Sequence, residues 1–262
     1  MKLFSRMRGL SFFLLALSMA GCVTQPNGGY GSKTQRNISR EETSARVHTE
    51  LAAQYYDRGQ LGVALEELFV ALQSKPDYAP AYNVRGLVYM ALHEDQQADE
   101  DFQHSLRLDS ADSDAHNNYG WFLCERGKEP DSIKHFMAAL KNPLYSTPAR
   151  AYLNAGLCSM KAGNAKNAEE FLQKALTAQP NMPEALLGLA NLYFNKADYA
   201  GAKSYFMIFK RNNASPLTAE NLWLAVRIEG KLGDRVAEDG YAMQLRKNFP
   251  DARETQLMLY RQ

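Results

Sequence analysis

Residues 149–182 read ARAYLNAGLCSMKAGNAKNAEEFLQKALTAQPNM. Two arms with apolar residues at helical spacing flank Gly163, and Pro180 closes the second arm. Small residues stand at Ala155-Gly156 in the first arm and at Ala168 in the second. Their size lets two helices cross closely, while Tyr152, Leu172 and the other large side chains fill the space around the crossing. The segment reads as a helix–turn–helix hairpin.

The same phase recurs on both sides of it, in a frame of 34 residues that carries Pro76 and Pro180 alike. A first unit, 45–78, has Tyr55, Gly59, Ala64, Leu68, Ala71 and Pro76. The second, 79–112, has Tyr82, Gly86, Tyr89, Ala98 and Phe102. The third, from Ser113, has Tyr119-Gly120, Leu123, Ser132, Phe136 and Ala139. The fifth, 183–216, has Leu186, Leu189-Ala190, Tyr193, Ala202 and Phe206. A sixth, from about Thr218, is degraded: Ala225, Gly233, Ala237 and Tyr241 remain, with Pro250 one place late. Residues 251–262 read as a capping helix. The third unit is irregular. Pro130-Asp131 opens its second helix, and its exit, Asn142-Pro-Leu-Tyr-Ser-Thr-Pro148, adds two residues to the period. That exit is either a spacer or a protruding contact loop.

The pattern resembles the tetratricopeptide repeat and covers about 45–250. One such unit cannot bury its apolar face alone, so stacking is obligatory. The resemblance implies an all-α, right-handed superhelical solenoid over 45–262, with about six helix–turn–helix repeats and a C-terminal capping helix. It also implies a concave groove lined by the first helix of each repeat. The places that face the groove in this repeat family hold Thr49 and Tyr56 in repeat one, and Asn83, Leu87 and Met90 in repeat two. Repeat three supplies Asn117, Asn118 and Trp121; repeat four Asn154, Leu157 and Met160; repeat five Asn191 and Phe194. An asparagine amide both donates to and accepts from a peptide backbone, and apolar residues between amides serve as anchors. The row therefore suits an extended or helical protein segment. Alternatively, some of these asparagines stitch one repeat to the next.

The chain start carries different information. Lys2, Arg6 and Arg8 precede an apolar run from Leu10 to Ala20. The run suits a signal peptide over 1–21 and is too short to span a bilayer. Ser18-Met-Ala-Gly-Cys22 resembles a bacterial lipobox, in which the cysteine is acylated and becomes the new N-terminus. Val23 stands where an inner-membrane retention signal would place Asp. The resemblance thus implies an outer-membrane lipoprotein facing the periplasm, anchored in lipid through Cys22 and delivered by the lipoprotein sorting machinery. Residues 22–44 are polar, with Gln25, Pro26, Asn27, Gly28, Gly29 and Gly31, and read as a flexible tether.

Charge is nearly balanced at +1, and removing residues 1–21 leaves 27 basic against 29 acidic residues. Nothing in this balance points to nucleic acid. Of the three cysteines, Cys124 and Cys158 stand one period apart at nearly equivalent places on neighbouring first helices. An oxidising periplasm allows a disulfide between them; two buried thiols are the alternative.

No catalytic constellation is legible. His93-Glu-Asp-Gln-Gln97 lacks the second histidine of a zinc-protease helix. His48, His104, His116 and His135 do not cluster by spacing, and two cysteines without a histidine pair do not complete a metal site. There is no phosphate-binding glycine loop and no Gly-x-Ser-x-Gly elbow. The chain reads as a binding protein with no catalytic residues, metal or cofactor.

Three stretches narrow the family further: Asn117-Asn-Tyr-Gly-Trp-Phe-Leu-Cys124, Asn142-Pro-Leu-Tyr145 and Asn154-Ala-Gly-Leu-Cys158. They resemble the PilF/PilW family of type IV pilus biogenesis lipoproteins. The resemblance implies a pilotin, which binds secretin subunits and promotes their outer-membrane localisation and multimer assembly. A general periplasmic scaffold lipoprotein, recruiting peptidoglycan enzymes or outer-membrane assembly factors, is the other reading a repeat fold permits.

Overall fold

The computed structural model describes residues 39–260. They form six helix pairs and a short last helix, with no strand among the described residues. The pairs are α1 (Arg40–Asp57) with α2 (Leu61–Ser74), α3 (Ala79–Ala91) with α4 (Asp95–Leu108), and α5 (Ser113–Glu125) with α6 (Glu129–Ala139). Then follow α7 (Pro148–Lys161) with α8 (Ala165–Ala178), α9 (Pro183–Asn195) with α10 (Tyr199–Asn212), and α11 (Ala219–Leu232) with α12 (Arg235–Asn248). Helix α13 (Arg253–Leu259) ends the stack.

Local chemistry sets these bounds. Proline occupies the first turn of α3, α6, α7 and α9, where its missing N–H costs nothing. Asp112, Asn164, Asp198, Thr218 and Asp234 cap the helices that follow them by accepting backbone N–H bonds. Helices α2, α8 and α12 stop just before Pro76, Pro180 and Pro250, as the repeat frame requires.

One boundary differs from the sequence reading. The tether was expected to run to Ser44, but α1 begins at Arg40. Ser39 accepts from the Glu42 backbone N–H at 3.1 Å, and Glu41 and Glu42 lie in the first turn beside the positive end of the helix dipole. Capping and charge hold this turn, so no apolar period is needed there. Cys22, the signal segment and the tether up to residue 38 lie outside the described residues.

Within each pair the small residues do what the period implies. A methyl group at Gly120 would come 2.8 Å from the Phe136 ring, and one at Gly156 would come 2.7 Å from Leu172. Phe136 and Leu172 are fully buried, so neither has room to retreat. The core is shared between neighbouring repeats. Leu68 of α2 packs in one cluster with Val88 of α3, Phe102 of α4 with Phe122 of α5, and Leu172 of α8 with Leu189 of α9. Each repeat therefore completes the core of the next. Helix α13 packs on α11 and α12 and covers the last repeat. Its Met258 joins the terminal cluster, which matches the expected cap.

Two ion pairs are built into the packing. Arg85 of α3 grips Asp101 of α4 through two bonds, 2.7 and 2.8 Å long. Lys203 of α10 reaches the buried Glu229 of α11 at 2.7 Å.

Candidate functional site: the inner helical face

The first helices of successive repeats touch one another: α1 with α3, α3 with α5, α5 with α7, and α7 with α9. The second helices make no comparable contacts among themselves. A stack in which one layer of helices is close-set and the other spread curves toward the close-set layer. Helices α1, α3, α5, α7 and α9 thus form the inner face.

Tyr56, Leu87, Met90, Trp121, Leu157 and Phe194 are partly exposed along this face, as is Met160. Apolar surface persists there although each side chain also packs inward. Trp121 leans on the cluster that holds Cys124, Phe136 and Cys158. The Lys161 ammonium lies 5.8 Å from the Trp121 ring centroid and bonds Glu125 at 2.7 Å, so a cation covers part of the indole.

The asparagines behave differently from the apolar row. Asn83 and Asn117 are only 7% and 3% exposed. Asn154 Nδ2 donates to Asn117 Oδ1 at 3.0 Å, Asn117 Nδ2 to Asn118 Oδ1 at 3.4 Å, and Asn118 Nδ2 to Asn83 Oδ1 at 3.1 Å. This amide chain runs across α7, α5 and α3. Asn191 donates to the Leu187 carbonyl of its own helix at 3.0 Å. The expectation that Asn83 and Asn117 present free amides to a ligand is corrected: both lie under the surface and bond across repeats. Spacing placed all of them on the inner helices but could not reveal that the first helices approach closely enough for amides to meet. Thr49 is likewise buried, its hydroxyl donating to the Ala45 carbonyl.

The sixth repeat adds residues that the sequence reading passed over. Arg227 of α11 stacks on Phe194 of α9 at 4.7 Å and lies 5.6 Å from the Trp223 ring. The aromatic row therefore continues onto α11. Trp223 falls in the right place when the repeat is counted from Ala219, but the weak match of that repeat hid it.

Cys124 of α5 and Cys158 of α7 are joined in a disulfide, with Cα atoms 5.7 Å apart. The bond ties the Trp121 helix to the Leu157 helix. The irregular exit of repeat three is also ordered. Asn142 Oδ1 accepts from the Leu144 backbone N–H at 2.9 Å, its Nδ2 bonds Ser113 Oγ at 3.3 Å, and Tyr145 is buried beneath. Leu144 at the tip is 88% exposed.

No three His, Cys, Asp or Glu side chains stand together as a metal-binding set among the described residues. No helix among them is long and apolar enough to cross a membrane. One histidine expectation is overturned: His116 and His135 meet, with Nδ1 atoms 2.9 Å apart. Positions nineteen residues apart on two helices of one hairpin become neighbours only when the hairpin closes.

Paired helices in a 34-residue phase with an inner apolar face define a tetratricopeptide-repeat protein, and the profile of that repeat matches residues 79–112 and 159–207. The likeness extends to whole proteins. The chain is 28% identical over 250 residues to the type IV pilus assembly protein PilF of Pseudomonas aeruginosa, across 95% of this chain and 96% of that one. It superposes on the crystal structure of PilW, a widely conserved type IV pilus biogenesis factor, with a TM-score of 0.77 at 34% identity, covering 82% of this chain and 98% of that one. The structure of Pseudomonas aeruginosa PilF gives a TM-score of 0.75 at 26% identity, covering 86% and 100%. The chain belongs to the PilF/PilW family of tetratricopeptide type IV pilus biogenesis proteins.

Proposed function

We propose that this chain is an outer-membrane lipoprotein pilotin: acylated at Cys22, it binds secretin subunits and promotes their localisation and assembly into the pore through which a type IV pilus emerges. The observation that carries the binding half is the row of partly exposed apolar side chains on the inner helices, from Tyr56 through Trp121 to Phe194. A folded monomer keeps such side chains in a row at a cost in solubility, and a bound segment covers them. Family membership supplies the pathway. The anchor half is supported by the sequence alone, in the apolar run and Gly21-Cys22. Lipid attachment would raise the local concentration of the captured subunit at the membrane where assembly occurs.

The test is affinity capture of the tagged chain from detergent-solubilised envelopes. Wild type is compared with Trp121→Ala plus Leu157→Ser, and with Cys22→Ser. A secretin should accompany wild type and be depleted from the double variant, provided that variant melts as a folded protein. Cys22→Ser should leave the secretin mislocalised or unassembled. Normal secretin multimers at the outer membrane in Cys22→Ser would remove the anchoring role. Retention of secretin by the double variant would move the binding face elsewhere. Capture of a cell-wall enzyme in place of any secretin would replace the pilotin by a general periplasmic scaffold.

A further inference from the structure

His116 of α5 and His135 of α6 face each other in repeat three, Nδ1 to Nδ1 at 2.9 Å, with ring centroids 5.1 Å apart. His116 Nε2 lies 3.2 Å from the Ser110 carbonyl oxygen. A carbonyl only accepts, so the proton of His116 sits on Nε2 and its Nδ1 offers a lone pair. His135 Nδ1 then donates into that lone pair. A ring held by a backbone carbonyl through one nitrogen, with a lone pair on the other, is the arrangement that orients histidine ligands of metals.

Solvent reaches the pair. Both rings are half-buried. His135 borders an open depression of about 440 Å³, lined also by Gln103, Leu106, Arg107 and Tyr119. Burial first, and then the facing His116, push His135 down to about 4, so it is uncharged at neutral pH. Asp131, one turn earlier on α6, acts in the opposite sense on His135, while Lys134 adds to the downward shift. Those two side chains bond each other at 2.8 Å.

We propose that His116 and His135 form a two-histidine site for a divalent transition-metal ion of the zinc class. The ion takes the place of the shared proton between the two Nδ1 atoms, and water from the depression completes its shell. His135 changes tautomer through exchange with solvent, its proton passing to Nε2, so both rings stay neutral and no net proton is lost. Tetrahedral zinc bound at about 2.0–2.1 Å sets its two nitrogens about 3.3 Å apart and the ring centroids about 5.3 Å apart. To reach this geometry the pair widens by roughly 0.4 Å and the rings turn out of their nearly head-on contact toward a common point. Imidazole is a preferred ligand for this class of ion. The bound ion would clamp α5 to α6 in the repeat that carries Trp121, a role separate from partner capture.

The experiment is calorimetric titration of the chelator-treated, full-length chain in detergent with zinc chloride. Wild type should bind one ion with micromolar affinity, and His116→Gln and His135→Gln should each weaken it by at least about tenfold. Absence of binding at millimolar zinc, or an affinity unchanged in both variants, overturns the site. Nitrogen NMR of the unsubstituted chain gives a readout that needs no variant to fold. Zinc should move the Nδ1 resonances of both His116 and His135; movement confined to other histidines overturns the proposal.

Discussion

Asn154 Nδ2 lies 3.0 Å from Asn117 Oδ1, a donor on α7 and an acceptor on α5 thirty-seven residues earlier. Asn117 is 3% exposed, so its amide is shielded from solvent. Asn117→Ala removes the acceptor of the Asn154 amide and the donor to the Asn118 carbonyl, two partly exposed groups, and should cost about 0.5–1.5 kcal/mol in urea unfolding. Capture of the partner protein by the folded variant should be unchanged. A loss of capture without a loss of stability would return Asn117 to the binding face.

Gly120 offers a test of the packing. The ring of Phe136 fills the place of the missing methyl group, and Phe136 is itself walled in. Gly120→Ala should therefore destabilise by about 1–3 kcal/mol through overpacking, although alanine is the better helix former. Thermal melting of the variant against Gly62→Ala, where a methyl group meets nothing within 4 Å, separates the two effects.

The turns inside the helix pairs make the opposite prediction. Gly59, Gly127, Gly163 and Gly233 adopt positive φ there, whereas repeat five places Ala197 at φ 62°. A left-handed alanine costs about 1–2 kcal/mol, partly offset by the greater freedom that glycine loses on folding. Ala197→Gly should raise stability by roughly 0.5–1 kcal/mol. A lower melting temperature for this variant would contradict the backbone assignment.

The disulfide closes a separation of 34 residues. Chain-entropy reasoning gives about 3–4 kcal/mol for a loop of that length. Cys124→Ser with Cys158→Ser should lower the urea midpoint accordingly. Dithiothreitol should lower the wild-type midpoint and leave that of the double variant unmoved.

Glu169 of α8 joins two residues of the next repeat region, accepting from Tyr193 at 2.6 Å and bonding Lys196 at 2.7 Å. Lys196 first, and then Tyr193, hold its carboxyl below the ordinary carboxylate value. The folded chain therefore refuses a proton that the unfolded chain accepts. The contribution is complete above the unfolded value and is lost as pH falls through the folded one. Because the carboxylate is partly solvated and its ion pair lies at the surface, the effect should stay below about 1 kcal/mol. Glu169→Gln should flatten the fall in stability below about pH 4.5 by that amount.

The sequence by itself determined the repeats, their phase, the paired-helix architecture, the capping helix and the helices that form the inner face. Proline, glycine and alanine at fixed places act locally, through backbone limits and side-chain size, and such effects are written in sequence spacing. It also marked Cys124 and Cys158 as one period apart, which makes equivalent helices adjacent. Tertiary structure decided what contact alone decides. Asn83 and Asn117 turn to each other's neighbours and leave the binding row, because inner helices approach to amide distance. His116 meets His135 because a closed hairpin aligns residues that no period relates. Trp223 and Arg227 extend the aromatic row from a repeat whose pattern had decayed but whose packing survived on Phe194. Spacing fixes which face of a helix a residue occupies; how near the next helix comes is set by the packing of the whole stack.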